Sequence, residues 1–104
     1  VETTDQEIEG FRIVTVEGIL EDLEVPDVSA LQERYGPGTF GCHEALHVSS
    51  IELQSVSDNL MSHPAVALNS EWYQLAYRAH EALVELYQAI GAEHLATEDE
   101  AEEA

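Results

Sequence analysis

The spacing of hydrophobic and polar positions changes character along the chain. In "FRIVTVEGILEDLEV", residues 11–25, β-branched side chains crowd together, with Ile19, Leu23 and Val25 on one parity and Leu20, Asp22 and Glu24 on the other. Such residues suit a pleated, half-buried surface, and Gly18 interrupts them where a turn would lie. The pattern predicts a β-hairpin turning near Glu17-Gly18, with strands over 11–16 and 19–25. Ile19, Leu20 and Leu23 would also suit a short helix. Pro26 then ends the segment, Asp27 or Ser29 can cap a short helix through Tyr35, and "YGPG" breaks the chain.

Helical spacing takes over at Thr39, an N-cap type of residue. Cys42, Leu46, Leu53, Val56 and Leu60 recur on one stripe to about Ser62, where His63-Pro64 stops the run. Asn69 or Ser70 can cap a second helix reaching about Leu95, with Glu71 in the first turn, where the helix dipole favours negative charge. Trp72, Leu75, Ala76, Ala79, Leu83, Leu86 and Ile90 form its expected core face. Two long helices joined by so short a link must fold back antiparallel. The expected fold is therefore α+β and mainly α: an N-terminal β-hairpin followed by a long antiparallel helical hairpin. One domain is expected over 1–96, made of the ribbon and short helix (1–35) and the helical hairpin (39–95), with an acidic tail at 97–104.

The second helix has more apolar surface than one partner helix covers. Tyr73, Tyr77, His80, Val84 and Tyr87 form a further stripe, which a small ribbon has little area to bury. Another copy of the chain is the natural remainder, so a homo-oligomer using these residues is expected.

Charge narrows the partners. The 104 residues carry 22 acidic side chains against three arginines and no lysine, a net charge of −19. Nucleic acid and anionic membranes are repelled by such a surface, whereas basic proteins and cations are attracted. No run of apolar residues is long enough for a membrane span, and no basic segment precedes an apolar one at the start of the sequence. With Cys42 as the only cysteine, an intrachain disulfide and a Cys-rich zinc site are both excluded. A reducing compartment, the cytoplasm, is the expected home.

One motif carries metal chemistry. His43-Glu44-Ala45-Leu46-His47 matches the H-E-x-x-H pattern of zinc peptidases, in which two histidines one helical turn apart hold zinc and the glutamate activates water. A third ligand would come from His63, His80, Glu81 or His94. The match spans five residues, sits at the start of its helix, and leaves little chain to build a peptide cleft, so peptidase activity is not expected. Glu44-x-x-His47 also fits the Glu-x-x-His unit of di-iron bundles, with Glu81, Glu85 or Glu52 as further carboxylates. A zinc or iron site at His43, Glu44, His47, Glu81 and Glu85 therefore stands beside a plainer reading, in which the same side chains close polar layers inside a helical bundle. "HEAL" recurs at 43–46 and 80–83, a coincidence that common helix formers readily produce. No phosphate-binding loop is present, because "YGPGTFG" lacks the lysine and spacing of one.

Residues 41–95, with the Gly-x-His-Glu-x-Leu-His opening and the Leu-Tyr-Gln-Ala-Ile-Gly close, resemble small helical proteins encoded by bacteriophages and prophages. The resemblance implies a genomic setting and no catalytic residue. Together with the net charge of −19 and the surplus apolar stripe, that setting favours an accessory protein acting in the host cytoplasm by binding a basic protein partner, as a nucleic-acid mimic or as an inhibitor of a host or defence factor. A metal-binding helical bundle and a minor virion component are the alternatives, and an enzyme is the less favoured class.

Overall fold

Thr4-Asp5-Gln6-Glu7 starts a helix, not the approach to a strand. The Thr4 hydroxyl accepts a hydrogen bond from the Glu7 amide at 3.1 Å, and the Glu7 carboxylate reaches back to the Thr4 amide at 3.4 Å, a reciprocal cap. From it runs α1, Asp5–Asp22, followed by α2, Val28–Tyr35. Next come α3, Phe40–Ser55, which widens into a π-helical turn over Val56–Met61, then α4, Pro64–Leu68, and α5, Ser70–Glu103. The computed structural model describes residues 2–103, with side chains described through Thr97. The acidic side chains of the 97–104 tail beyond Thr97 lie outside the described residues.

The expected β-hairpin is not there, and the described residues contain no strand. Residues 11–22 lie inside α1, and Gly18 is an interior helical residue. The fold class is thus mainly helical. Two local signals outweigh the β-branched run: the cap at Thr4, and a Schellman end in which the Val25 amide bonds the Leu20 carbonyl at 2.9 Å and the Glu24 amide bonds that of Glu21 at 3.2 Å. Glu24 occupies the left-handed position of that end, at φ 55°, where glycine is the usual occupant.

The chain divides into two units, Val1–Tyr35 and Gly36–Ala104. In the first, Val16, Leu20, Val25, Ala30 and Leu31 are half-buried, Asp27 caps α2 through the Ala30 amide at 2.9 Å, and no residue of α1 is buried. The second unit is an antiparallel pairing of α3 with α5. Thr39 caps α3 by accepting from the Cys42 amide, and Asn69 caps α5 by accepting from the Trp72 amide at 3.0 Å. Between them, His63 caps α4, with Pro64 at the first position, where its missing N–H is no loss.

At the closed end the loop before α3 is held against α5. Gly38, at φ +87°, donates its amide to His94 Nδ1 at 2.9 Å. A Cβ at Gly38 would lie 2.7 Å from Thr97 Cγ2, and the Thr97 rotamer is itself fixed by donation to the Glu93 carbonyl at 2.8 Å. Further along, a Cβ at Gly91 would meet Leu46 Cδ1 at 3.5 Å, an ordinary van der Waals contact, so Gly91 lies against α3 with room for a methyl group.

The face of α5 turned to α3 matches the expected one only in part, at Ala76, Leu83 and Ile90. Ala76 and His94 are buried, and His80, Leu83, Val84, Ile90 and Gly91 are half-buried, whereas Trp72, Leu75, Ala79 and Leu86 are exposed. Among the described residues the buried apolar side chains are Cys42 and Ala76.

Two substitutions test this geometry with opposite signs. Gly38→Ala forces an L residue into a left-handed loop against Thr97 and should lower unfolding free energy by about 1–3 kcal/mol. Glu24→Gly relieves the left-handed strain at the end of α1 and should raise it by about 0.5–1 kcal/mol. Urea titration followed by circular dichroism measures both.

Candidate functional site

Because Thr39 caps α3, His43 falls in its first turn and His47 in the next, and the i, i+4 spacing puts both rings on one side. They line a small open groove of about 160 Å³ with Leu46, Ser50 and Tyr87. Opposite the two imidazoles, α5 therefore supplies a phenol, not a carboxylate. Both histidines and Glu44 are exposed.

The expected further ligands are elsewhere or already engaged. The Nδ1 of His63 accepts from the Ala65 amide at 3.1 Å as the cap of α4. His94 is fully buried at 0% exposure, accepts from Gly38, and lies with its ring centroid 5.7 Å from that of His43. Glu81 lines a different groove, of about 290 Å³, with Tyr73, Gln74, Tyr77 and Arg78, while Glu85 and Glu52 are exposed. Among the described residues no three His, Cys, Asp or Glu side chains gather closely enough to hold a metal ion.

The expected oligomer stripe is split. Tyr73 and Tyr77 are exposed, with ring centroids 6.4 Å apart; His80 and Val84 are half-buried; Tyr87 closes the histidine groove. Comparison with protein families, with curated proteins and with solved structures returns no match. The site is therefore argued from its own residues.

Apolar surface is the feature that stands out once the grooves are placed. On α1, Phe11 is 64% and Val14 65% exposed, with Ile8 beside them. Around them lie Asp5, Glu7, Glu9, Glu17, Glu21 and Asp22, with Arg12 paired to Glu9 through two guanidinium nitrogens, Nε donating at 2.9 Å. That pairing holds the Glu9 carboxyl below its ordinary range, the hydrogen bond from Arg12 being the larger cause. Its stabilising effect is present above the ordinary carboxylate pKa and is lost as pH falls through the lowered value; full exposure keeps it small. The C-terminal half of α1 and α2 frame an apolar groove of about 470 Å³ lined by Ile19, Asp22, Leu23, Leu31 and Tyr35. Among the described residues no helix is long and apolar enough to cross a membrane.

His94 and His47 should separate in a stability experiment. His94→Ala leaves a cavity and an unbonded Gly38 amide and should destabilise by about 2–4 kcal/mol, whereas the exposed His47→Ala should change stability by less than about 0.5 kcal/mol. Thermal unfolding of both variants gives the comparison.

Proposed function

We propose that the chain acts by binding a protein partner with a basic surface, and that α1 is the element it presents. The observation that carries this reading is α1 itself: 18 residues, none buried, with Ile8, Phe11 and Val14 open inside a frame of six acids and one arginine. An apolar helix face laid into a groove supplies the anchor, and acids around it select a positively charged rim and speed the encounter. The net charge of −19 extends the same field over the whole molecule. A groove that ordinarily takes nucleic acid has the matching chemistry, and occupying it would block that ligand. For the phage-type setting suggested by residues 41–95, such a block fits an accessory protein aimed at a host or defence factor.

Salt and competition decide the matter. Immobilised chain should retain basic nucleic-acid-binding proteins that duplex DNA displaces, with affinity falling at least about tenfold between 0.05 and 0.5 M salt. Phe11→Glu adds negative charge while removing the apolar anchor, and should weaken retention by about tenfold. Retention indifferent to salt, DNA and Phe11 would remove the reading.

A further inference from the structure

Besides Tyr73, Tyr77, Tyr87 and Leu95, six apolar residues left open on α5 fall at alternating three- and four-residue steps: Trp72, Leu75, Ala79, Ala82, Leu86 and Ala89. This is a heptad seam. Trp72 is 54% exposed, Leu75 63% and Leu86 48%, and the three alanines are exposed as well. A second seam through Ala76, Leu83 and Ile90 runs beside it and faces α3. One helix therefore carries two adjacent seams, and its own unit covers one; this is the pattern of a helix inside a bundle of more than two. At its start the open seam widens into an apolar groove of about 330 Å³ lined by Leu60, Val66, Trp72, Leu75, Ala76 and Ala79.

We infer that a second copy of the chain covers this seam, with α5 against α5 in an antiparallel, two-fold symmetric pairing. The occupant follows from complementarity of the seam with its own reversal. One register sets Trp72 against the partner's Ala89, Leu75 against the partner's Leu86 and Ala79 against the partner's Ala82. Large meets small at the ends, and alanines meet near the centre, where they let the helix axes come close. The same register brings Arg78, on the rim of the seam and the only arginine or lysine of α5, within two residues, about 3 Å along the axis, of the partner's Glu85 on the same rim. Symmetry makes that ion pair twice.

A parallel pairing fails on the same residues. Trp72 would face the partner's Trp72, and Arg78 would face the partner's Leu83 with no carboxylate to meet. Charge also singles out this helix for self-association. Residues 72–89 carry two acids against one arginine, whereas α1, of the same length, carries six against one. Repulsion between copies is therefore weakest where the apolar surface is self-complementary, and the two-fold arrangement closes without leaving a free end.

The contact extends over about 27 Å of helix, a small specific interface, so association in the micromolar range is expected. Salt should strengthen it, because screening relieves repulsion between two molecules of net charge −19 while two rim ion pairs lose little. The pairing does not rest on the basic-partner reading of α1, and its experiment uses the purified chain alone.

Sedimentation equilibrium of the full chain should show a monomer–dimer equilibrium that tightens about tenfold from 0.05 to 1 M salt, with emission of the single tryptophan, Trp72, shifting to the blue as dimer forms. Ala82→Glu should abolish it. Arg78→Glu should weaken it by about tenfold, and the double swap Arg78→Glu with Glu85→Arg, which keeps the net charge, should restore it. In a mixture of Leu75→Cys and Leu86→Cys chains, oxidation should join 75 to 86, whereas neither chain should cross-link to itself through these positions, which lie about 16 Å apart along the helix. Circular dichroism of each variant confirms that the helices are kept. A chain that stays monomeric at 1 M salt, self-linking of either cysteine variant, or a double swap no tighter than Arg78→Glu overturns the inference.

Discussion

Everything in the second unit depends on how α5 is covered. A 34-residue helix presents apolar side chains over far more of its circumference than α3, of 16 residues, can reach. Fully burying a leucine or larger apolar side chain contributes about 1.5–3 kcal/mol, and folded chains keep only a narrow margin over their conformational entropy. With Cys42 and Ala76 as the buried apolar residues among those described, much of that potential contribution is still exposed to water. The open seam is thus as much a property of the fold as the seam α3 occupies.

The closed end shows what decides which seam α3 takes. Three contacts lock the start of α3 to the far part of α5: the Gly38 amide on His94, the Cβ-sized gap between Gly38 and Thr97 already filled, and Leu46 over Gly91. The first two depend on Gly38, whose positive φ and close approach to Thr97 leave no room for a side chain. A buried histidine would be unfavourable without a partner, and the Gly38 amide needs one too, so each satisfies the other. His43 then sits beside a buried histidine that is bonded to the backbone of the loop before α3. The H-E-x-x-H spacing arises because both of its histidines lie on the flank of α3 that borders Tyr87.

Legibility in the sequence followed the local signals. Thr39, His63-Pro64 and Asn69 mark the ends of helices through side-chain caps that need no tertiary information, and the structure uses each of them. The β-branched run of α1 misled because propensity is a weak prior. Six β-branched residues and two glycines in α1 oppose the helix by roughly 0.5–1 kcal/mol each, yet the Thr4–Glu7 box, written plainly as Thr-Asp-Gln-Glu, and the Schellman end define it. The rotation of α5 was harder to read. Two neighbouring seams of similar apolar content give the same periodicity, and small residues lie on both, Ala76 on the covered one and Ala79, Ala82 and Ala89 on the open one, so residue size does not mark which is covered. What faces the two groove histidines was hard to read for a related reason: spacing along α3 fixes His43 and His47 but says nothing of what α5 sets opposite them, which is Tyr87.

Acidity and association pull against each other, and their distribution shows how both fit one chain. Repulsion between like molecules grows with the charge near the contact, since salt at physiological strength screens beyond about 8 Å. The stretch of α5 that carries the open seam is nearly balanced, and its one arginine lies where a reversed copy brings a carboxylate. By contrast, α1 pairs exposed Phe11 and Val14 with six acids, so two copies of α1 would repel wherever their apolar residues met. A basic protein would be drawn to that same surface. The molecule thus has two exposed apolar surfaces of different electrostatic kind, one on a stretch nearly balanced in charge and one among six acids. Because the two lie on separate units, occupancy of one does not by itself require occupancy of the other.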